Sequence, residues 1–133
     1  MSYAKQMLET DSGATIDADL LARTIDALSD CAQACTADAD VDLRESDVAE
    51  MRTCIRLCLD CADVCAATAS VVSRQTAFAT AVVGPLLDAC ARTCARCGDE
   101  CRAHADMHAH CRVCEEACRR CEQACRELLA ALA

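Results

Sequence analysis

Residues 111–125 read CRVCEEACRRCEQAC, with cysteines at 111, 114, 118, 121 and 125. Steps of three, four, three and four trace one stripe along an α-helix, so all five thiols project from one face. Apart from Val113, the residues between them are Arg, Glu, Gln and Ala, good helix formers suited to a solvated outer face. In an ordinary helical bundle the inward positions of such a stripe hold leucine. Here they hold sulfur, over roughly 21 Å of axis at 1.5 Å per residue.

The stripe recurs upstream. Cys54, Cys58, Cys61 and Cys65 keep the same rhythm, as do Cys90, Cys94, Cys97 and Cys101, while Cys31 and Cys35 make a shorter version. Fourteen of the fifteen cysteines thus fall into seven CxxxC pairs, and Cys111 adds one more to the last stripe. Four such faces imply helices brought together around sulfur.

The bulk composition agrees with an all-α chain. At 133 residues it is long enough to bury one core of its own. Tyr3 and Phe78 are its only aromatic residues, so much of the interior falls to Ala and Cys. Free cysteine packs as a small hydrophobe, which makes such an interior physically acceptable. Three glycines and one proline leave few turns. A net charge of −9 disfavours nucleic acid as a partner. No apolar run is long enough to suggest a membrane span. The N-terminus MSYAKQMLETD shows no basic or apolar leader pattern and no twin arginine, so the expected location is the cytoplasm. In that reducing compartment cysteines persist as thiols or metal thiolates, and an odd count cannot pair completely within one chain.

The expected fold is an antiparallel up-down-up-down four-helix bundle over residues 15–133, preceded by an N-terminal extension over residues 1–14 in which residues 3–10 form a short helix ended by Gly13. The first bundle helix is expected to start near Thr15 to Asp17 and run to about Asp38. The acidic stretch Asp38 to Asp42 reads as a loop. Ser46 is the expected cap of the second helix, which continues to about Val72. The third is expected from about Gln75 to His104, kinked or split at Gly84-Pro85. Asp106 is the expected cap of the fourth. Short connections make neighbours antiparallel. One end then collects Leu21, Leu28, Val72, Val83, Leu87, Leu128 and Leu132 as an apolar plug. The other collects Cys35, Met51, Cys54, Cys101, His104, Met107, His108 and Cys111. A tube lined with thiols and open at one end is a container.

Three chemistries use many cysteines. Disulfides are disfavoured by compartment and count. Iron–sulfur clusters usually take a run such as C-x2-C-x2-C-x3-C-P, which does not occur here. For metal thiolates, charge separates the metals. Isolated buried thiolates are strongly unfavourable. Cu(I), at about one per thiolate, neutralises them and accepts two or three soft ligands. A separate tetrahedral Zn²⁺ site of four thiolates keeps a double negative charge in the interior. Residues at i and i+4 have Cβ atoms about 5–6 Å apart, so a helical CxxxC can grip one ion. An iron–sulfur redox protein and a zinc or cadmium thiolate scavenger stand as the alternatives to copper.

With CxxxCxxCxxxC repeated on consecutive helices, five cysteines on the last, and the turn HADMHAHC before it, residues 15–132 resemble the cytosolic branch of the bacterial copper storage proteins. The resemblance implies a four-helix bundle holding many Cu(I) ions on its fifteen cysteines, a homotetramer, and copper intake at a His-lined mouth. His104 and His108 match that position, with Met51 and Met107 beside them. Copper would be exchanged with a copper chaperone or a small thiol.

Plainer readings exist for single residues. Fifteen cysteines in register are too many for casual core filling. His110, off the stripe, reads as solvated, and the acidic residues read as a solvated face. Ile55, Leu57, Leu59 and Val113 flank the stripes and are candidates for a subunit contact. No nucleophile with an orienting base and no phosphate-cradling loop is evident, so no enzymatic activity is expected.

Overall fold

In the computed structural model, which describes residues 2–11, 13 and 15–133, the thiol stripes do form helices. These are α1 (Tyr3–Glu9), α2 (Ala18–Asp42), α3 (Arg52–Val72), α4 (Thr80–His104) and α5 (Ala109–Ala131), with a 3-10 turn over Val48–Met51 before α3. Helix α2 packs against α3 and α5, and α4 packs against the same two, so the four long helices close a ring. Neighbours are antiparallel. On α3 and α4, Cys65 meets Cys90 while Cys58 meets Cys101. On α2 and α5, Cys31 meets Cys118 while Asp42 meets Cys111.

One end of the ring is apolar. Leu21, Leu28, Val72, Val83, Leu87 and Leu128 are buried there, and Leu132 is half-buried. Thr24 and Thr68 share the inward stripes and donate their hydroxyls to their own helices, at Leu20 O and Val64 O. No unpaired polar atom results, so threonine serves as an apolar filler here. Small residues such as Ala22, Ala27, Ala62, Ala91 and Gly98 occupy the buried flanks. Gly98 is where the Arg119 guanidinium crosses α4 to reach Asp99; a Cβ there would lie 2.9 Å from Arg119 Nη1.

The structure corrects several boundaries. Helix α2 does not stop at Asp38: it runs to Asp42, and Asp38 and Asp42 are buried rather than part of a solvated loop. The reason is register. Cys31, Cys35, Asp38 and Asp42 keep the steps of four, three and four, so both carboxylates face inward and find donors there. Asp17 caps α2 as expected, accepting from Asp19 N. Ser46 does not cap α3, which begins at Arg52 only after the 3-10 turn that follows Asp47. Helix α4 starts at Thr80, five residues later than expected, and is unbroken at Pro85. The proline lies in its second turn, so only the single bond to the Ala81 carbonyl is lost. Asp106 does not cap α5; its N-cap position is His108, whose ring is engaged elsewhere. Helix α1 covers Tyr3–Glu9, within one residue of the expected helix over residues 3–10, and it packs against α2 with Leu8 joining the core.

Candidate metal centre

All fifteen cysteines are free and buried. Their sulfurs touch within each helix and between helices. Cys31 and Cys35 on α2 are 3.8 Å apart, as are Cys61 and Cys65 on α3. Across the bundle, Cys114 lies 3.6 Å from Cys35, Cys97 3.7 Å from Cys58, and Cys65 3.6 Å from Cys94. No main chain intervenes at such separations, so a small soft ion needs little side-chain movement to sit among them.

The sulfurs group into fours whose donor atoms all lie within 4.8 Å of one another. Starting near the apolar foot, Cys31, Cys65, Cys94 and Cys121 form one group; Cys31, Cys35, Cys61 and Cys118 the next. Then come Cys35, Cys97, Cys114 and Cys118, followed by Cys58, Cys97, Cys101 and Cys114. Each group shares one or two members with the one before it. A further group, Asp38, Cys54, Cys58 and Cys101, puts an oxygen among the sulfurs. Overlap of this kind makes a continuous column of soft donors along the axis.

Without metal the column is a network of S–H···S contacts. A thiol that donates is held in its protonated form: Cys65, which meets Cys121, Cys31, Cys61 and Cys90 and is buried, has its pKa driven up. A sulfur that accepts is drawn the other way, as at Cys61, lowered to about 7 chiefly by its bond from Cys118. Neutral thiols satisfy one another without placing charge in the interior.

At the end opposite the apolar foot the donors change character. Asp38 Oδ2 accepts from Cys58 at 3.4 Å, Cys101 at 3.6 Å and Cys54 at 3.8 Å, and Oδ1 accepts from Cys111 at 3.5 Å. His110 Nδ1 also hydrogen-bonds Asp38 Oδ1 and lies 3.7 Å from Cys111 Sγ. Burial raises the pKa of Asp38, against the pull of His110. Burial first, and then the nearby Cys54 and Asp38, lift Asp42 to about 8. For His110, burial disfavours the charged ring, but bonds to Asp38 and Glu45 outweigh it and raise its pKa.

The residues expected at a mouth differ in their exposure at this end. Met51 is fully buried, whereas Met107 is exposed. His104 Nε2 lies 3.3 Å from Glu100 on its own helix. His108 is nearly buried against Glu45 and Asp47. His110, expected to be solvated, is the histidine that reaches the sulfurs. Asp38, Asp42, Glu45 and Asp47 went unrecognised as parts of this end; for the first two the signal was their place in the stripe of α2.

A ring of four antiparallel helices with a column of sulfurs along its axis defines a thiol-lined metal-binding bundle. Residues 17–130 match the copper storage protein family, and the chain belongs to it. Among solved structures, the chain is similar to the copper storage protein Ccsp of Streptomyces lividans loaded with 10 copper equivalents. Identity is 53% over 96% of this chain and 98% of that one, with a TM-score of 0.93. A histidine-to-alanine variant of the Streptomyces lividans protein is 57% identical over 89% of this chain and 98% of its own, at a TM-score of 0.87. A five-copper form, described as a cytosolic copper storage protein, is 59% identical over 84% and 93%, at 0.83. No curated protein matches the chain.

Proposed function

We propose that this chain stores copper in the cytoplasm, holding many Cu(I) ions per molecule on its fifteen cysteine thiolates. The observation that carries the reading is the column of overlapping sulfur groups. Cu(I) is the ion whose single charge balances one thiolate and whose low coordination number tolerates shared sulfurs. Bulk capacity, rather than transfer of a single ion, is what so many equivalent inward donors provide. The same donors support a binding role.

Copper enters in this reading at the end rimmed by His104, His108, Met51 and Met107, and passes to the sulfurs beside His110 and Asp38. The apolar foot blocks the other end, so intake and release share one route. The cytosolic Streptomyces lividans relative supports the location. A homotetramer is proposed through the outer faces of the helices, where Leu59 and Val113 are exposed. Donor and acceptor are a copper chaperone or a small thiol.

The test is an anaerobic titration of the reduced protein with Cu(I) against a competing chelator. Saturation at about one ion per cysteine or more is expected. Saturation at one or two ions per chain would overturn storage.

A further inference from the structure

The seam between α4 and α5 holds a contact that the sulfur column does not account for. Gly98 on α4 is buried, one residue after Cys97 and so beside the sulfur stripe. A guanidinium from α5 covers it. A Cβ at position 98 would lie 2.9 Å from Arg119 Nη1, 3.0 Å from Cζ and 3.3 Å from Nε. Three atoms of one planar group in that volume mean that Arg119 fills the notch left by the missing side chain. No glycine here has a positive φ, so Gly98 serves for space rather than for conformation. In a helix interior alanine would be the better residue for stability alone.

From the notch Arg119 reaches three acceptors. Nη2 donates to Asp99 Oδ1 at 2.9 Å and to Glu115 Oε2 at 3.3 Å, and Nη1 to the Ala95 carbonyl at 3.4 Å. Glu115, partly buried, also lies 3.9 Å from Arg102 Nη1. Gly98, Arg102, Glu115 and Arg119 each directly follow a cysteine: Cys97, Cys101, Cys114 and Cys118. Those four cysteines supply the α4 and α5 donors of two overlapping groups, one completed by Cys35 and the other by Cys58. The clamp therefore crosses the seam at the height of these two groups and ties together the turns that carry their sulfurs.

We propose that Arg119, seated on Gly98, is a positioning residue for the copper ions held by Cys97, Cys101, Cys114 and Cys118. The guanidinium is not a ligand. It holds α4 and α5 at the spacing and axial register that bring sulfurs from both within reach of one ion. An exposed ion pair alone contributes little. Seating in a notch sets this one apart, because a rigid fork held by three acceptors resists both sliding and separation of the helices. The inference rests on the storage reading and adds to it a residue with no metal-binding chemistry of its own.

The test is an anaerobic competitive Cu(I) titration of reduced full-length protein, with thermal denaturation of each copper-free variant alongside. Gly98→Ala puts a methyl where the guanidinium rests and expels it, leaving Arg119 and all fifteen cysteines in the chain. Its copper-free thermal midpoint should not fall, because alanine is the better helix former and only a flexible side-chain end has to move. Copper in the two groups should nevertheless loosen about tenfold, the lower end of what orienting partners beyond the ligands are worth. Arg119→Ala should loosen it by the same factor, and the double variant no further than either single. Total capacity stays that of the parent in all three. Arg120→Ala, which breaks the exposed pair between α5 and Asp30 of α2, should leave binding unchanged. Binding indifferent to Gly98→Ala, additive losses in the double variant, or an equal loss in Arg120→Ala would overturn the role of Arg119. A parent that saturates at one or two ions would overturn storage itself, and the clamp with it.

Discussion

Asp38 Oδ2 lies 3.4 Å from Cys58 Sγ, so a carboxylate holds a place in the sulfur column that the rhythm of the other helices gives to cysteine. The same oxygen also accepts from Cys101 and Cys54. An oxygen there is a harder donor than sulfur and a poorer one for Cu(I). Replacing it should extend the column. Asp38→Cys is expected to raise copper capacity by about one ion per chain in competitive titration, at one copper per added thiolate. Asp38→Ala, which supplies no donor, should not; an equal rise in both variants would remove the carboxylate from the copper path.

Capacity and stability should separate along the axis. Leu87 is fully buried in the apolar foot, and Leu87→Ala is expected to cost about 2–5 kcal/mol of stability in the copper-free protein. Its copper capacity should stay unchanged, because no donor is lost. Cys94→Ser does the reverse. Cys94 touches Cys61 and Cys65, and losing its sulfur should remove about one copper ion from the saturated protein. Thermal denaturation and copper titration of the two variants, run side by side, check both halves.

The buried carboxylate at the mouth sets a pH dependence. Asp42 has a folded pKa of about 8 against an ordinary value of 3.8, raised by burial and by Cys54 and Asp38. The folded protein therefore keeps a proton there that the unfolded chain gives up between those values. Stability from this group is full below the unfolded pKa and is lost as pH rises through the folded one. Asp42→Asn removes the ionisation. The variant should gain nothing over the parent near pH 3.8 and roughly 1–4 kcal/mol by pH 8, measured on copper-free protein. A difference between the two proteins that does not change across this range would show that Asp42 is not the titrating group.

How much of this could be read from residues alone follows from how local each signal is. The stripes of α3, α4 and α5 were legible because cysteine repeats at helical spacing carry their own periodicity, and the apolar foot followed from antiparallel order. The end of α2 was not. Asp is a weak helix former, and Asp38, Asp40 and Asp42 look like a solvated loop when taken singly. Only the continuation of the stripe from Cys31 through Asp42 betrays that two of them turn inward. His110 was misread for a different reason. It sits outside the stripe, one residue before Cys111, and its partners Asp38 and Glu45 come from the other end of the chain. Helix starts shifted where expected caps gave way to tertiary partners: His108 heads α5 with its ring committed to Glu45 and Asp47.

Copper removal should leave the bundle standing. The foot of Leu21, Leu28, Val72, Leu87 and Leu128 is independent of metal, and the thiols pack as small apolar groups once protonated. This differs from small zinc domains, whose folding free energy is largely metal-binding free energy. The expected far-ultraviolet circular dichroism of copper-free protein is strongly helical and changes little on loading. Loading should instead release about one proton per thiol engaged, followed by pH-stat titration with Cu(I). A copper-free protein with the spectrum of a random coil would mean that metal, rather than leucine and thiol packing, holds the four helices together.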